Sequence, residues 1–494
     1  MKALKLILLF LAVTGTLSSC MEPKSSNEIQ GLWITTEETS TKLPRGTRKG
    51  VLELLLNEDG SPAAQGYFLW NGDYLSKWNL VNFEYDIESH RITIKDTDGD
   101  IYKGIMDSEH KKITGAIHFQ NDEKENLDFI PASNDIITTL FQPRKPDTTG
   151  EVIYAYKVPE QLNDGLQTGS INQRFIDTAS MVALMDKIID QDYGRLASLL
   201  VLKDNKLVVE EYFYGYDRTR LHPIHSCTKS ITSLLLGIAL EHHKSVLLDQ
   251  PIFTFFPAYD SLKTQENKSI TLKDALTMRA GFQWNEFPKE MYETDDWFHY
   301  ILSRPMESKP GETFHYNSGC TILIGGVIYS LEGRQANAYA EEVLFGPLGI
   351  SVYEWSTHKN GTPQCGGGLQ MLPRDMAKIG LMVLNEGKWN DYQIVPEGWI
   401  SESTKPRVPE SDFFDYGYQW WHRSKNNKPW WDEPKVAQQD EHDMIIALGW
   451  GGQHIVIVKD LNLVVITTAS DYDIDGAAIS KIRMVIEDII PSIK

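Results

Sequence analysis

The second half of the chain opens with helix and hairpin and closes with hairpin and helix. Thr178–Tyr193 carries Met181, Val182, Leu184, Met185, Ile188 and Ile189 at helical spacing. Two apolar runs follow, Leu196–Lys203 and Leu207–Phe213, joined by the turn residues Asp204-Asn205. At the far end, Gln453–Val458 and Leu463–Thr468 flank Lys459-Asp460, and Ile479–Ile490 repeats Ile479, Ile482, Val485, Ile486 and Ile489 at helical spacing. The stretch between is mainly helical. One sheet assembled from both ends of the segment accounts for this order, so the pattern predicts an α+β domain with an antiparallel sheet flanked by helices over 178–494.

Residues 31–142 read differently. Val51–Leu56, Gln65–Leu69, Leu80–Tyr85, Arg91–Ile94, Ile101–Met106 and Ile113–Phe119 are short, partly alternating runs separated by Asp/Asn/Gly turns. They predict a small all-β barrel or sandwich. Its Gly31-Leu32-Trp33 is similar to the G-x-W start of lipocalins, but a packing or spacer module is the simpler reading. Pro143-Arg144-Lys145-Pro146-Asp147 begins a linker and approach segment, 143–177.

The N-terminus places the protein outside the cytoplasm. Lys2 and Lys5 precede an apolar run, Leu6–Val13, and small residues, which is the layout of a signal peptide over 1–19. Leu17-Ser18-Ser19-Cys20 resembles a bacterial lipobox. That resemblance implies cleavage before Cys20, a lipid on Cys20, a polar tether over 20–30, and anchorage in the bacterial cell envelope as a periplasmic or outer-membrane lipoprotein. The full chain has net charge −20 and no long basic run, which disfavours nucleic acid as a partner. Three cysteines remain, Cys227, Cys320 and Cys365. The odd count leaves at least one free thiol, and whether Cys320 and Cys365 pair stays open. With no C-x-x-C, no His/Cys cluster and no H-E-x-x-H, neither a metal nor a cofactor is expected.

After the first hairpin comes His225-Ser226-Cys227-Thr228-Lys229-Ser230, running into Ile231, Leu234, Leu235, Leu236, Ile238, Ala239 and Leu240. Apolar residues on nearly every face predict a buried helix. Ser226 and Lys229, three apart, share one face of it. A serine hydroxyl needs a base to become a nucleophile, and a lysine amine serves only when neutral. Burial and the positive end of a helix both disfavour the ammonium, and the same helix end offers N–H groups to an oxyanion. The alternative is an N-cap serine beside a snorkelling lysine. S-x-x-K also recurs at Ser108–Lys111 and Ser356–Lys359, but neither copy opens an apolar helix. Further along, Pro310–Gly319 puts Tyr316 at a loop-to-helix junction, where a phenol can relay a proton. Ala447-Leu448-Gly449-Trp450-Gly451-Gly452-Gln453 leads into a strand, where small residues allow substrate along the strand edge and a backbone N–H can complete an oxyanion hole.

In order and spacing, His225–Lys229, Leu276–Gly281, Pro310–Gly319, Gly366–Gly380 and Gly449–Gln453 resemble the serine β-lactamase-like hydrolases. That family includes class C β-lactamases, penicillin-binding proteins, D-aminopeptidases, family VIII esterases and 6-aminohexanoate-dimer hydrolases. The resemblance covers roughly 151–490. It implies an antiparallel sheet flanked by helices with a helical lobe, Ser226 as acylated nucleophile, Lys229 as its base and Tyr316 as a second acid/base. The oxyanion hole falls to the backbone N–H groups of Ser226 and Trp450, and substrate contacts to Ser318, Gly449 and Gly451; Trp284 is a further substrate-binding candidate, as a pocket lining or as core. Tyr416, Tyr418, Trp420, Trp421, Trp430 and Trp431 are candidates for a pocket lining or for core. Two departures point away from a β-lactamase: Ser318 stands where Tyr-x-Asn has its Asn, and no cation stands at Gly449 or Ala447. The expectation is an exported hydrolase of small ester or amide substrates. The alternatives are a D,D-peptidase and a catalytically silent binding protein.

Overall fold

The computed structural model describes residues 31–493 except 37–46, 57–60, 71–73, 79, 98, 121–122, 133–143, 147–151, 155, 172–176, 190, 214–215, 287, 429–440 and 473–475. The signal, the tether with Cys20, and Trp430 and Trp431 lie outside the described residues. The chain divides into two compact units, one carried by residues up to Ala132 (Gly72–Leu75 excepted), the other running from Ser133.

In the first unit, ten strands form one sheet among the described residues. From one end they run Tyr74–Trp78, Pro62–Trp70, Thr47–Leu56, Gly31–Thr35, Phe129–Pro131, Ile113–His118, Ile101–Met106, Arg91–Asp96 and Leu80–Asp86, with Lys124–Asn126 beside Ile113–His118. Pro62–Trp70 also packs beside Leu80–Asp86, so the sheet curls back on itself. Alternate residues enter the core: Ile92 and Ile94 from one strand, Tyr102, Gly104 and Met106 from the next. Trp33 of the G-x-W tripeptide is 3% exposed in that core, a packing role.

In the second unit, nine strands form the main sheet among the described residues. Their order is Gln167–Thr168, Lys206–Tyr212, Leu196–Lys203, Leu463–Ala469, Gln453–Val458, Met444–Gly449, Trp421–Arg423, Asp415–Tyr416 and Val408–Pro409. The N-terminal hairpin therefore pairs directly with the C-terminal one: Leu196–Lys203 runs antiparallel to Leu463–Ala469. Asp204 and Asn205 both take left-handed φ, 48° and 63°, as a two-residue turn between twisted strands requires. The flanking helices are Thr178–Ile189 and Ala477–Met484, the latter continuing through a wider turn, Val485–Ile489, to Ser492. Arg144–Pro146, inside the expected linker, pairs with Val152–Tyr154.

Two helices sit at the centre. Cys227–His242 is buried from Cys227 through Ala239, and packs on Ser318–Glu332 and on the strand Met444–Gly449. A helix apolar all round has no other place. Between Ile270 and Gly281 lies one short helix, Leu272–Leu276. Thr271 and Asp274 form a reciprocal capping box at its start, and Met278 leaves helical space at φ 57°.

Candidate active site

Ser226 stands at the N-cap position of the buried helix, yet its side chain makes no capping bond. Lys229 does not snorkel; it is 1% exposed. Its Nζ instead donates to Ser226 Oγ at 2.9 Å, to Ser318 Oγ at 2.8 Å and to the Gly366 carbonyl at 2.5 Å. The competing reading of a capping serine and a solvent-seeking lysine is thereby excluded. Ser226 itself is 9% exposed. The two other S-x-x-K copies are surface turns, with Lys111 paired to Glu109 and Lys359 to Asp295.

Tyr316 closes the group. Its phenol lies beside the Ser226 side chain, and Lys229 Nζ lies 4.8 Å from the centre of its ring. Behind it, Trp421 stacks on the ring at 5.8 Å. Tyr416, Tyr418 and Trp420 are 2% exposed or less and belong to the core; of the described aromatic candidates, Trp421 and Tyr416, the latter edge-on to the Tyr316 ring at 6.4 Å, meet the site.

The helix Ser318–Glu332 brings Ser318, which the structure holds from two sides. Its Oγ accepts from Lys229 and donates to Glu286 Oε2 at 2.5 Å, while its N–H donates to Glu286 Oε1 at 2.7 Å. Trp284 Nε1 donates to the same Oε1 at 2.9 Å. Trp284 is thus part of the site's frame. Glu286 is the residue that sequence reasoning missed; the available signal was a lone carboxylate between Trp284 and Phe287.

The loop carrying Gly449, Trp450 and Gly451 lies against the Ser226 turn. A Cβ on Gly449 would meet the Ile224 carbonyl at 2.3 Å, so only glycine permits that approach. The Trp450 ring packs edge-on to His225 at 5.4 Å and beside Tyr472 at 4.9 Å, and is 53% exposed. His225, one residue before Ser226, takes φ 46°, which is uncommon for a residue with a side chain. Gly451 takes φ 79°, and a Cβ there would strike Tyr472.

Electrostatics separate the two titratable groups beside Ser226. Burial pushes the Lys229 ammonium down to about 8, with Glu286 opposing the shift. Burial pushes the Tyr316 phenol well above its ordinary value, with the neighbouring Ser226 hydroxyl opposing the shift. Near neutral pH the lysine therefore has an accessible neutral form and the tyrosine has no accessible anion. Cys227, facing the Gln453 carbonyl at 3.4 Å, is buried and its thiol is pushed up as well, so it packs and does not react. All three described cysteines are unpaired, which settles Cys320 and Cys365.

The family model described as Beta-lactamase matches residues 185–481. The chain belongs to the beta-lactamase family. It is accordingly a serine hydrolase with the β-lactamase/transpeptidase-like fold. Among curated relatives it is 20% identical to a 6-aminohexanoate-dimer hydrolase of Paenarthrobacter ureafaciens, over 56% of this chain and 73% of that one. It is 23% identical to a provisionally named D-alanyl-D-alanine carboxypeptidase of Salmonella typhimurium, over 37% of this chain and about half, 49%, of that one. Among solved structures, a provisionally named 6-aminohexanoate-dimer hydrolase from Bacillus anthracis superposes with a TM-score of 0.52 at 20% identity, covering 62% of this chain and 81% of that one. The likeness to that structure is one of fold.

Proposed function

We propose that this family member cleaves ester or amide bonds of small substrates through an acyl-enzyme on Ser226. The observation that carries the reading is the 2.9 Å contact between a buried Lys229 Nζ and Ser226 Oγ. The hydrogen-bond arrangement then selects which proton the amine takes. As an ammonium, Lys229 satisfies three acceptors. Once neutral, its lone pair must face a donor. The Gly366 carbonyl has no proton to give, and the Ser318 proton is held by Glu286. The Ser226 hydroxyl is the donor that remains.

In acylation, Ser226 Oγ attacks the carbonyl carbon, and its proton passes to Lys229. The tetrahedral oxyanion faces the backbone N–H groups of Ser226 and Trp450. Tyr316, neutral and beside Ser226, gives its proton to the departing alcohol or amine and recovers one from Lys229. Water then attacks the acyl-enzyme with Tyr316 or Lys229 as the base, and the proton taken from it returns to Ser226 as the acid departs. Gly449 and Gly451 leave the strand edge open to substrate. The missing cation at Gly449 and Ala447 favours esters and amides over β-lactams.

We place the protein in the bacterial cell envelope, held through a lipid on Cys20. Metabolic labelling with a fatty acid, lost in Cys20→Ser, tests that placement. A fluorophosphonate probe tests the nucleophile. Labelling is expected in the wild type and in Ser108→Ala, and absent in Ser226→Ala. An unlabelled wild type favours the silent binding protein. A p-nitrophenyl ester panel run against nitrocefin tests the branch, and faster turnover of nitrocefin than of any ester refutes it.

A further inference from the structure

The strand Gln453–Val458 is buried at every residue, and its first residue brings a carboxamide, 0% exposed, into the interior. A polar group at that depth needs partners. Gln453 Nε2 donates to the Trp450 carbonyl at 3.2 Å and to the Ala469 carbonyl at 2.6 Å, and Oε1 accepts from the Ala469 N–H at 3.1 Å. Both amide hydrogens are spent, and a flipped amide would set its oxygen against two carbonyls. The main-chain carbonyl of the same residue accepts from Cys227 Sγ at 3.4 Å, one residue after Ser226. Gln453 therefore holds the loop 449–452 with its side chain and meets the nucleophile's helix with its backbone.

The loop needs such a hold. Gly451 and Gly452 take φ 79° and 95°, and glycines leave a backbone its widest freedom. An N–H serves an oxyanion only when its direction is fixed before charge develops. Each carbonyl of the loop is tied down. Gly449 accepts from the Gly452 N–H at 3.3 Å, Gly451 from the Asp471 N–H at 3.2 Å, and Gly452 from Thr467 Oγ1 at 3.0 Å. The carbonyl of Trp450 is held by Gln453. Among the described residues, the N–H groups of Ser226 and Trp450 donate to no protein acceptor, which leaves both to a substrate oxygen. We propose that Gln453 is a positioning residue for the oxyanion hole: its carboxamide ties the Trp450 main chain to the end of Leu463–Ala469 and so aims the Trp450 N–H. The proposal rests on Ser226 being the acylated residue and on Trp450 supplying one of the two N–H groups.

The test replaces Gln453 by Met, which keeps the length of the side chain and removes all three bonds. A fluorophosphonate reads the effect, because its P=O oxygen takes the oxyanion's place as Ser226 attacks phosphorus and fluoride leaves. Losing an oxyanion donor outright costs about 10²–10³-fold, and here the donor is displaced and not removed. The maximal rate of Ser226 labelling should fall about ten- to hundredfold, and the half-saturating probe concentration should change by less than about threefold. The acidic limb of kcat/KM for p-nitrophenyl butyrate should stay where the wild type has it, since Ser226 and Lys229 keep their contact. Circular dichroism melts check folding; where Gln453→Met does not fold, Gln453→Asn, too short to reach both Trp450 and Ala469, takes its place with the same expectation. A folded variant that labels at the wild-type rate overturns the proposal. So does a slow variant whose acidic limb moves, because the damage then lies at Lys229. A wild type with no Ser226-dependent labelling or hydrolysis is a separate failure: it overturns the functional reading, and the positioning role with it.

Discussion

Replacing Glu286 by Gln should make the enzyme faster in mild acid. One hydroxyl, Ser318 Oγ, bridges Lys229 Nζ at 2.8 Å and Glu286 Oε2 at 2.5 Å. The two charges are therefore at most about 5 Å apart, and at an effective dielectric of about 20 their attraction is about 3 kcal/mol. That attraction favours the ammonium. Removing it should lower the Lys229 pKa by one to two units, discounting for the partly exposed carboxylate, since one unit is about 1.4 kcal/mol. Burial already brings the wild-type amine to about 8. A base must be neutral to act, so the acidic limb of kcat/KM should sit near 8 in the wild type and about one to two units lower in Glu286→Gln. At pH 6 the neutral fraction then rises about ten- to fiftyfold. The assay is the pH profile of kcat/KM for a p-nitrophenyl ester between pH 5 and 9, with Ser226→Ala as blank. The amide can still accept from Ser318 N–H, so a lower plateau from imperfect geometry would leave the position of the limb readable. A limb that stays near 8, or moves up, refutes Lys229 as the base.

Three further outcomes follow from local geometry. Gly449→Ala drives a Cβ into the Ile224 carbonyl and displaces the turn that carries Ser226, so kcat should fall at least tenfold while circular dichroism stays native. Glu211 receives the Tyr154 hydroxyl at 2.9 Å, and burial raises its carboxyl to about 7. The folded state then holds a proton that the unfolded state releases between about pH 4.5 and 7, so stability falls as pH rises through that window. Glu211→Gln should accordingly raise the unfolding free energy read from urea titration at pH 8 by up to about 3 kcal/mol, and change it little at pH 4. Asp471 meets both Lys481 and Arg195, and all three are buried. Asp471→Asn takes the carboxylate away from the buried Lys481 ammonium and should cost about 3–5 kcal/mol in urea titration.

The elements legible in advance were those whose own residues dictate them. Both hairpins and their flanking helices follow from local periodicity, and the structure keeps Leu196–Lys203 and Gln453–Val458 with the expected ends. The pairing of one hairpin with the other was legible too, because neither can bury both faces alone. Less legible were short strands made by their partners. Asp415–Tyr416 and Val408–Pro409 extend the main sheet with two residues each, too few to show a period. Gly31–Thr35 in the first unit is a strand because Thr47–Leu56 and Phe129–Pro131 flank it.

The candidate site divides along the same physical line. Ser226 and Lys229 were legible because they share one helix face, and a 3.6-residue period places them without any tertiary information. Tyr316 and the Gly449 loop were legible through resemblance, which carries order and spacing across the long gaps where periodicity says nothing. Glu286 was not legible by either route. It lies 57 residues from Lys229 and 32 from Ser318, on a loop with no regular structure. Its meaning comes only from what it touches. The departure from Tyr-x-Asn at Ser318 gains its reason at the same contact. A hydroxyl can accept from Lys229 while donating to Glu286. An amide in that place would do both with different atoms, and would not join the amine and the carboxylate through one oxygen. Serine here therefore couples the base to a negative charge, and the coupling is what the Glu286→Gln profile measures.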